Sequence, residues 1–185
     1  AARLIHTDPA AMAVLAELAT AVTDGSAVDV DGLVRWKRLE QLRITARDLL
    51  GVDDLETTTA ALAELARAVL GAAVRIAGAD GADIAVIGMG KLGGCELNYA
   101  SDVDVLFVEG DARQARKVLD VARRCFRVDA NLRPEGRDGA LTRSIDSYGT
   151  YWDRWAQPWE FQALLKAVPV AGNPDVGRQW ASAAS

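Results

Sequence analysis

The apolar positions of the chain change period near residue 80. Before it they recur every three to four residues, as on one face of a helix. Thr7-Asp8-Pro9 is a helix-start signal. Met12, Leu15, Leu18, Ala19 and Val22 continue it to Asp24-Gly25-Ser26. Leu33, Trp36, Leu39 and Leu42 predict a second helix over 31–50, with Arg35, Lys37, Arg38 and Arg43 as its solvated face and Gly51 as its stop. Leu62, Leu65, Val69, Leu70, Val74 and Ile76 predict a third over 55–77. The three read as one layer built to cover a sheet.

After residue 80 the apolar runs are short. Residues 84–87 and 103–108 read as strands, with the glycine-rich turn Gly88–Gly94 between them. Val118, Leu119, Val121 and Ala122 mark the inner face of a helix over 111–124. Residues 126–132 and 140–143 read as two further strands forming a hairpin across a charged, Pro- and Gly-containing loop. Ser144 caps a helix through 156, Pro158 starts one through 167, and Asn173-Pro174 opens a last one. Tyr148, Tyr151, Trp152, Trp155 and Trp159 mostly follow helical spacing and are expected to pack in a core. The fold class expected is α+β: a small mixed sheet packed against several helices. Residues 1–80 form a helical region and 81–185 a core with C-terminal helices, together one unit and a fragment of something longer.

Composition narrows the function classes. Half of the residues are hydrophobic and a quarter charged, the balance of an ordinary globular protein. The net charge of −5 comes without a basic stripe, which argues against nucleic acid. No apolar run reaches a membrane span and no signal peptide opens the chain, so a cytoplasmic location is expected. Cys95 and Cys125 lack metal-ligand spacing, and the single histidine, His6, lies near a terminus. Zinc chemistry and a Ser-His-Asp triad are therefore disfavoured.

Chemistry concentrates in 84–109. Gly88-x-Gly90-x-x-Gly93 follows a strand and so matches the dinucleotide fingerprint, with Glu109 and Asp111 about twenty residues on. A Rossmann crossover needs a helix of about a dozen residues, however, and 95–100 has too few apolar positions to pack one across a sheet. That reading also leaves Asp102 and Asp104 unexplained. Two residues apart on a strand, they point the same way. Their mutual repulsion is relieved by a divalent cation bound through hard oxygen ligands. A nucleotidyltransferase site accounts for more of the pattern. Gly93-Gly94 at a helix N-terminus would let bare N–H groups approach phosphate. Asp102 and Asp104 would hold metal, and Asp129 on a neighbouring strand would complete a two-metal clamp. Ser101 is placed to reach a nucleotide phosphate.

Three stretches carry a family resemblance: GMGKLGGCELNYASDVDVLFV, VDANLRPEGRDGAL and YWDRWAQPWEFQALLKA. In this order they resemble the glutamine synthetase adenylyltransferase (glutamate–ammonia-ligase adenylyltransferase) family, over about 35–177. The resemblance implies a polymerase-β-like nucleotidyltransferase fold and action on glutamine synthetase. Family members have two similar catalytic halves, one removing AMP from a synthetase tyrosine by phosphorolysis to ADP, the other adding AMP from ATP. The ELNY at 96–99 and WEFQALLKA at 159–167 resemble the removing half more closely. Implied cofactors are Mg²⁺ or Mn²⁺. Implied partners are glutamine synthetase, ATP or ADP, phosphate and the PII signal protein. Asp102, Asp104 and Asp129 are the implied metal and catalytic carboxylates. Gly93, Gly94 and Ser101 would hold phosphate, with Lys91 and Arg133 offsetting its charge. Glu96 and Asn98 would orient the loop, and Glu160, Gln162 and Lys166 would frame the nucleotide or the target tyrosine. Adenylylation in the same pocket, and a silent module binding glutamine synthetase or PII, are the alternatives. Three departures stand out: Val168 where the family has a basic residue, Cys95 where it often has Arg, and a short segment between Val108 and Arg127.

Overall fold

The computed structural model describes residues 29–184, together with Ala13, Ala16, Glu17 and Thr20, which are helical. The predicted first helix otherwise lies outside the described residues, as does His6. Helix α1 (Val30–Leu49) starts where the Asp29 carboxylate accepts the Gly32 N–H, and α2 (Leu55–Ile76) where Asp54 accepts that of Thr57. The turn between them is clamped by Arg47, which donates two 2.6 Å hydrogen bonds to Asp53. There follow β1 (Ala85–Gly88), a one-turn helix α3 (Gly90–Gly93), β2 (Val103–Val108), α4 (Ala112–Arg123) and β3 (Val128–Asp129). A 3₁₀ turn (Gly136–Asp138), β4 (Thr142–Arg143), α5 (Ile145–Arg154), α6 (Pro158–Leu164), β5 (Val168–Gly172) and α7 (Pro174–Ala183) complete the chain.

The fold is α+β, with seven helices and a mixed five-stranded sheet in residues 29–184. The sheet order is β3-β2-β1-β5, with β4 also on β2. β1 lies antiparallel between β2 and β5. Alternation along β2 divides the core in two. Val103, Val105 and Phe107 face α1, α2 and α4, with Leu33, Leu62, Val69 and Val118. Leu106 and Val108 face Tyr148, Val176 and Trp180 of α5 and α7. There Tyr148, Trp152 and Trp180 meet in tilted and edge-to-face contacts 5.4–6.0 Å apart.

Four expectations change. The 126–132/140–143 hairpin does not form. β3 and β4 both run parallel to β2 along one edge, end to end: Val103 pairs with Val128, and Phe107 with Thr142. They are two ends of one edge strand whose middle, residues 130–141, loops out. Burying Val128, Ala130 and Leu141 against the α4 side holds this arrangement. β5 lies outside the predicted strands; it completes the sheet beside β1. In α1 the buried residues are Leu33, Trp36, Ile44 and Ala46, whereas Leu42 is 42% exposed. Leu42 and Ile44 are about 200° apart around a helix, so only one can meet α2. Finally, Trp155, at the C-terminal cap of α5, and Trp159, in α6, are more than half exposed; α6 buries none of its residues.

Candidate functional site

The centre of the site follows from strand register. Asp104 and Asp129 are directly paired across β2 and β3, so their side chains leave the same face of the sheet at adjacent positions. Asp104 is tied in place through its carbonyl, which accepts the Met89 N–H at 2.9 Å. The Asp129 carboxylate accepts the Asn131 N–H at 2.8 Å. Partial burial raises the Asp104 pKa above the usual carboxylate value. The charge of Asp129 raises it further, and Lys91, close enough to act on it, opposes the shift. Two half-buried facing carboxylates whose repulsion is only partly offset form a donor set that suits a hard divalent cation.

Asp102 stands apart from this pair. It lies just before β2, and its carboxylate is engaged by the exposed Arg127 guanidinium. Among the described residues, no three His, Cys, Asp or Glu side chains are grouped closely enough to hold a metal. The structure thus brings together two of the three expected carboxylates, and Arg127 is a contributor that the sequence pattern did not reveal.

The glycine turn differs from its expected role. Gly93 and Gly94 lie at the C-terminal end of α3, not at a helix N-terminus, and their N–H groups donate to Met89 O (3.1 Å) and Gly90 O (3.0 Å). Their free phosphate-facing N–H groups are therefore a corrected expectation. A Cβ on Gly93 would stand 1.8 Å from Lys166 O, so this glycine lets the chain entering β5 pack on α3. The glycine beside the carboxylates is Gly90, in left-handed conformation (φ +51°), where a Cβ would lie 3.4 Å from Asp104 Oδ2.

The remaining residues divide in the same way. Ser101 Oγ donates to Asn98 Oδ1 at 2.9 Å and accepts the Asn98 N–H, closing the turn before Asp102. Lys166 pairs with Glu96 at 2.6 Å, fastening the start of β5 to the segment after α3. Glu160 accepts the Tyr151 hydroxyl (2.8 Å) and the Gln157 N–H (2.7 Å), so its carboxylate is occupied in holding α5 to α6. Arg133 donates to the carbonyls of Gly139, Ala130 and Arg137, stapling the loop between β3 and β4.

A facing Asp pair at the head of β2, beside a glycine turn, can be compared with known proteins. The family profile described as "Glutamate-ammonia ligase adenylyltransferase" matches residues 2–125 and 120–183. The two pieces meet in α4, within the short segment noted above. A Streptomyces avermitilis protein named "Bifunctional glutamine synthetase adenylyltransferase/adenylyl-removing enzyme" is 49% identical over 164 residues, covering 75% of this chain. A Mycobacterium tuberculosis protein of the same name is 40% identical over 205 residues, covering 96% of the chain. The chain spans 16% and 20% of the lengths of these relatives. With the profile matched along almost the whole of this chain, the chain belongs to the glutamate–ammonia ligase adenylyltransferase family.

Proposed function

We propose that the chain is a divalent-metal-dependent nucleotidyltransferase domain acting on glutamine synthetase, and that it removes AMP from a synthetase tyrosine by phosphorolysis. The observation that carries this reading is the in-register facing of Asp104 and Asp129, with the Asp104 proton affinity raised. Asp104 and Asp129 would hold Mg²⁺ or Mn²⁺, and Asp102 would join them on leaving Arg127. Bound there, the metal supplies charge neutralisation at the attacking and leaving oxygens. In this direction a phosphate oxygen forms a bond to the AMP phosphorus as the bond to the tyrosine oxygen breaks. ADP leaves, and the tyrosinate takes up a proton. A phenol of pKa about 10 is a far better leaving group than an alkoxide. Lys91, already close to Asp104, offsets phosphate charge at the same face. ATP, ADP and the PII signal protein belong to this reading as partners, and a cytoplasmic location accords with it. Among the described residues no helix is long and apolar enough to cross a membrane.

The test sets the chain with adenylylated glutamine synthetase and phosphate against the chain with unmodified synthetase and ATP, each with Mg²⁺. Release of ADP in the first arm supports removal; AMP incorporation in the second reverses the direction. Asp104→Asn should lower turnover by at least about 10³-fold, as expected for loss of a metal-held charge in the transition state, with the circular dichroism spectrum unchanged. Undiminished turnover in that variant would overturn the mechanism. Absence of turnover in both arms, with synthetase still bound, would identify a silent binding module.

A further inference from the structure

On the α4 side of the sheet, beside β3, a cavity of about 350 Å³ opens between α4 and the loop joining β3 to β4. Four arginines line it: Arg116 and Arg123 from α4, and Arg133 and Arg137 from the loop. None of the four takes part in a salt bridge among the described residues. Arg133 bonds to carbonyls and the Asn131 side-chain amide oxygen, all neutral groups that orient it but leave its charge uncompensated. Arg123 Nε likewise donates to Val128 O at 3.3 Å. A chain with a net charge of −5 thus gathers four guanidinium groups around one cavity, with no carboxylate among the described residues paired to any of them. Guanidinium groups repel one another and bind oxyanions as planar forks with charge-assisted hydrogen bonds.

The cavity is distinct from the carboxylate site. Val128 and Ala130 turn to the α4 side and Asp129 to the other, by strand alternation. We propose that this cavity is an anion site for a small phosphate-bearing molecule, either inorganic phosphate or the phosphate groups of a nucleotide. The site is also wired to the carboxylates. Asn131 lines the cavity, and its N–H holds the Asp129 carboxylate at 2.8 Å. Arg133 grips the adjoining Ala130 carbonyl at 2.6 Å. An anion drawing on Arg133 therefore bears on the segment that sets Asp129. The binding claim stands independently of the proposed reaction; only the functional weight of this link rests on that reading.

The experiment is calorimetric titration of the whole chain, free of divalent metal and other oxyanions, with inorganic phosphate, pyrophosphate and ADP in separate arms. One-to-one saturable binding is expected, tightest for the arm that matches the source. The double variant Arg116→Gln/Arg137→Gln changes two exposed side chains and should weaken binding at least about tenfold. Asp104→Asn should leave it within about twofold. Amide NMR of the unmodified chain locates the site without any variant: phosphate should shift Asn131, Arg137 and Gly139. The proposal is overturned if none of the three anions binds saturably, or if the arginine pair has no effect. It is also overturned if Asp104→Asn abolishes binding or the amide shifts map elsewhere. Unmoved Asn131 with the other shifts present would overturn the link to Asp129 alone.

Discussion

Replacing Gly93 by alanine separates a packing role from a phosphate-binding role. The added Cβ would meet Lys166 O at 1.8 Å, Gly88 O at 2.8 Å and Lys166 C at 2.9 Å. All three are backbone atoms, so no side-chain rotation relieves the overlap. Restoring even a 3.0 Å contact to Lys166 O requires an opening of about 1.2 Å, the difference between 3.0 and 1.8 Å. That opening falls where Lys166 leads into β5, which is held to β1 by only a short run of pairs already broken by a bulge between Val86 and Ile87. Overpacking in a well-filled interior costs about 1–3 kcal/mol, and backbone against backbone places this case at the upper end. About 3 kcal/mol is a large share of a total stability of roughly 5–15 kcal/mol. For a domain of this size it lowers Tm by about 6–12 °C. Gly94→Ala is the control. Its Cβ meets the flexible Lys166 Cδ at 2.9 Å, and the side chain can swing at a cost of under about 1 kcal/mol. Urea denaturation followed by circular dichroism and thermal melts would measure both. Gly93→Ala within about 0.5 kcal/mol of the parent, or equal losses in the two variants, would refute the packing argument.

Two further outcomes follow from ion pairs. Arg127→Ala releases the Asp102 carboxylate; because exposed pairs are worth about 0–1 kcal/mol, Mn²⁺ affinity should rise by up to about fivefold in a paramagnetic titration, and a fall would show that Arg127 supports the site. At the α1–α2 turn, the hydrogen bonds from Arg47 hold the Asp53 pKa below its usual value. A carboxylate with a depressed folded pKa stabilises the fold above its unfolded pKa, and that contribution is lost as pH falls through the folded one. Asp53→Asn should therefore be less stable than the parent at pH 7 in urea titrations, with the gap closing at acidic pH; a gap independent of pH would exclude the ion pair as its cause.

What the sequence reveals depends on how local the cause is. β1, β2, α2 and α4 are written in short-range periodicity, and the caps at Asp54, Asp111, Ser144 and Asn173 lie within three residues of the N–H groups they accept. β5 is a run of five residues interrupted by Pro169, whose partner strand lies some eighty positions earlier; nothing nearby announces it. The 126–143 region carries a true hairpin-like pattern, but the open edge of β2 offers its two ends a better partner than they offer each other. At the site, Asp104 and Asp129 were legible from spacing, because parallel register places them side by side. The packing role of Gly93 and the loop-stapling bonds of Arg133 were not. A glycine buried against a backbone leaves the same letter in the sequence as one waiting for a phosphate, and an arginine's bonds to carbonyls leave no local pattern at all.

The looped-out edge strand also bears on how the chain avoids its own kind. A sheet offers its outermost N–H and C=O groups to any other strand, and long flat edges recruit them. Here one border is cut into two two-residue pieces separated by an arginine-bearing excursion. The opposite border is β5, where Pro169 removes a donor and a register shift in its pairing with β1 bends the line. Neither border offers a long uninterrupted ladder, so a sheet whose two faces are both apolar is protected from edge-to-edge stacking when the protein is expressed at high concentration.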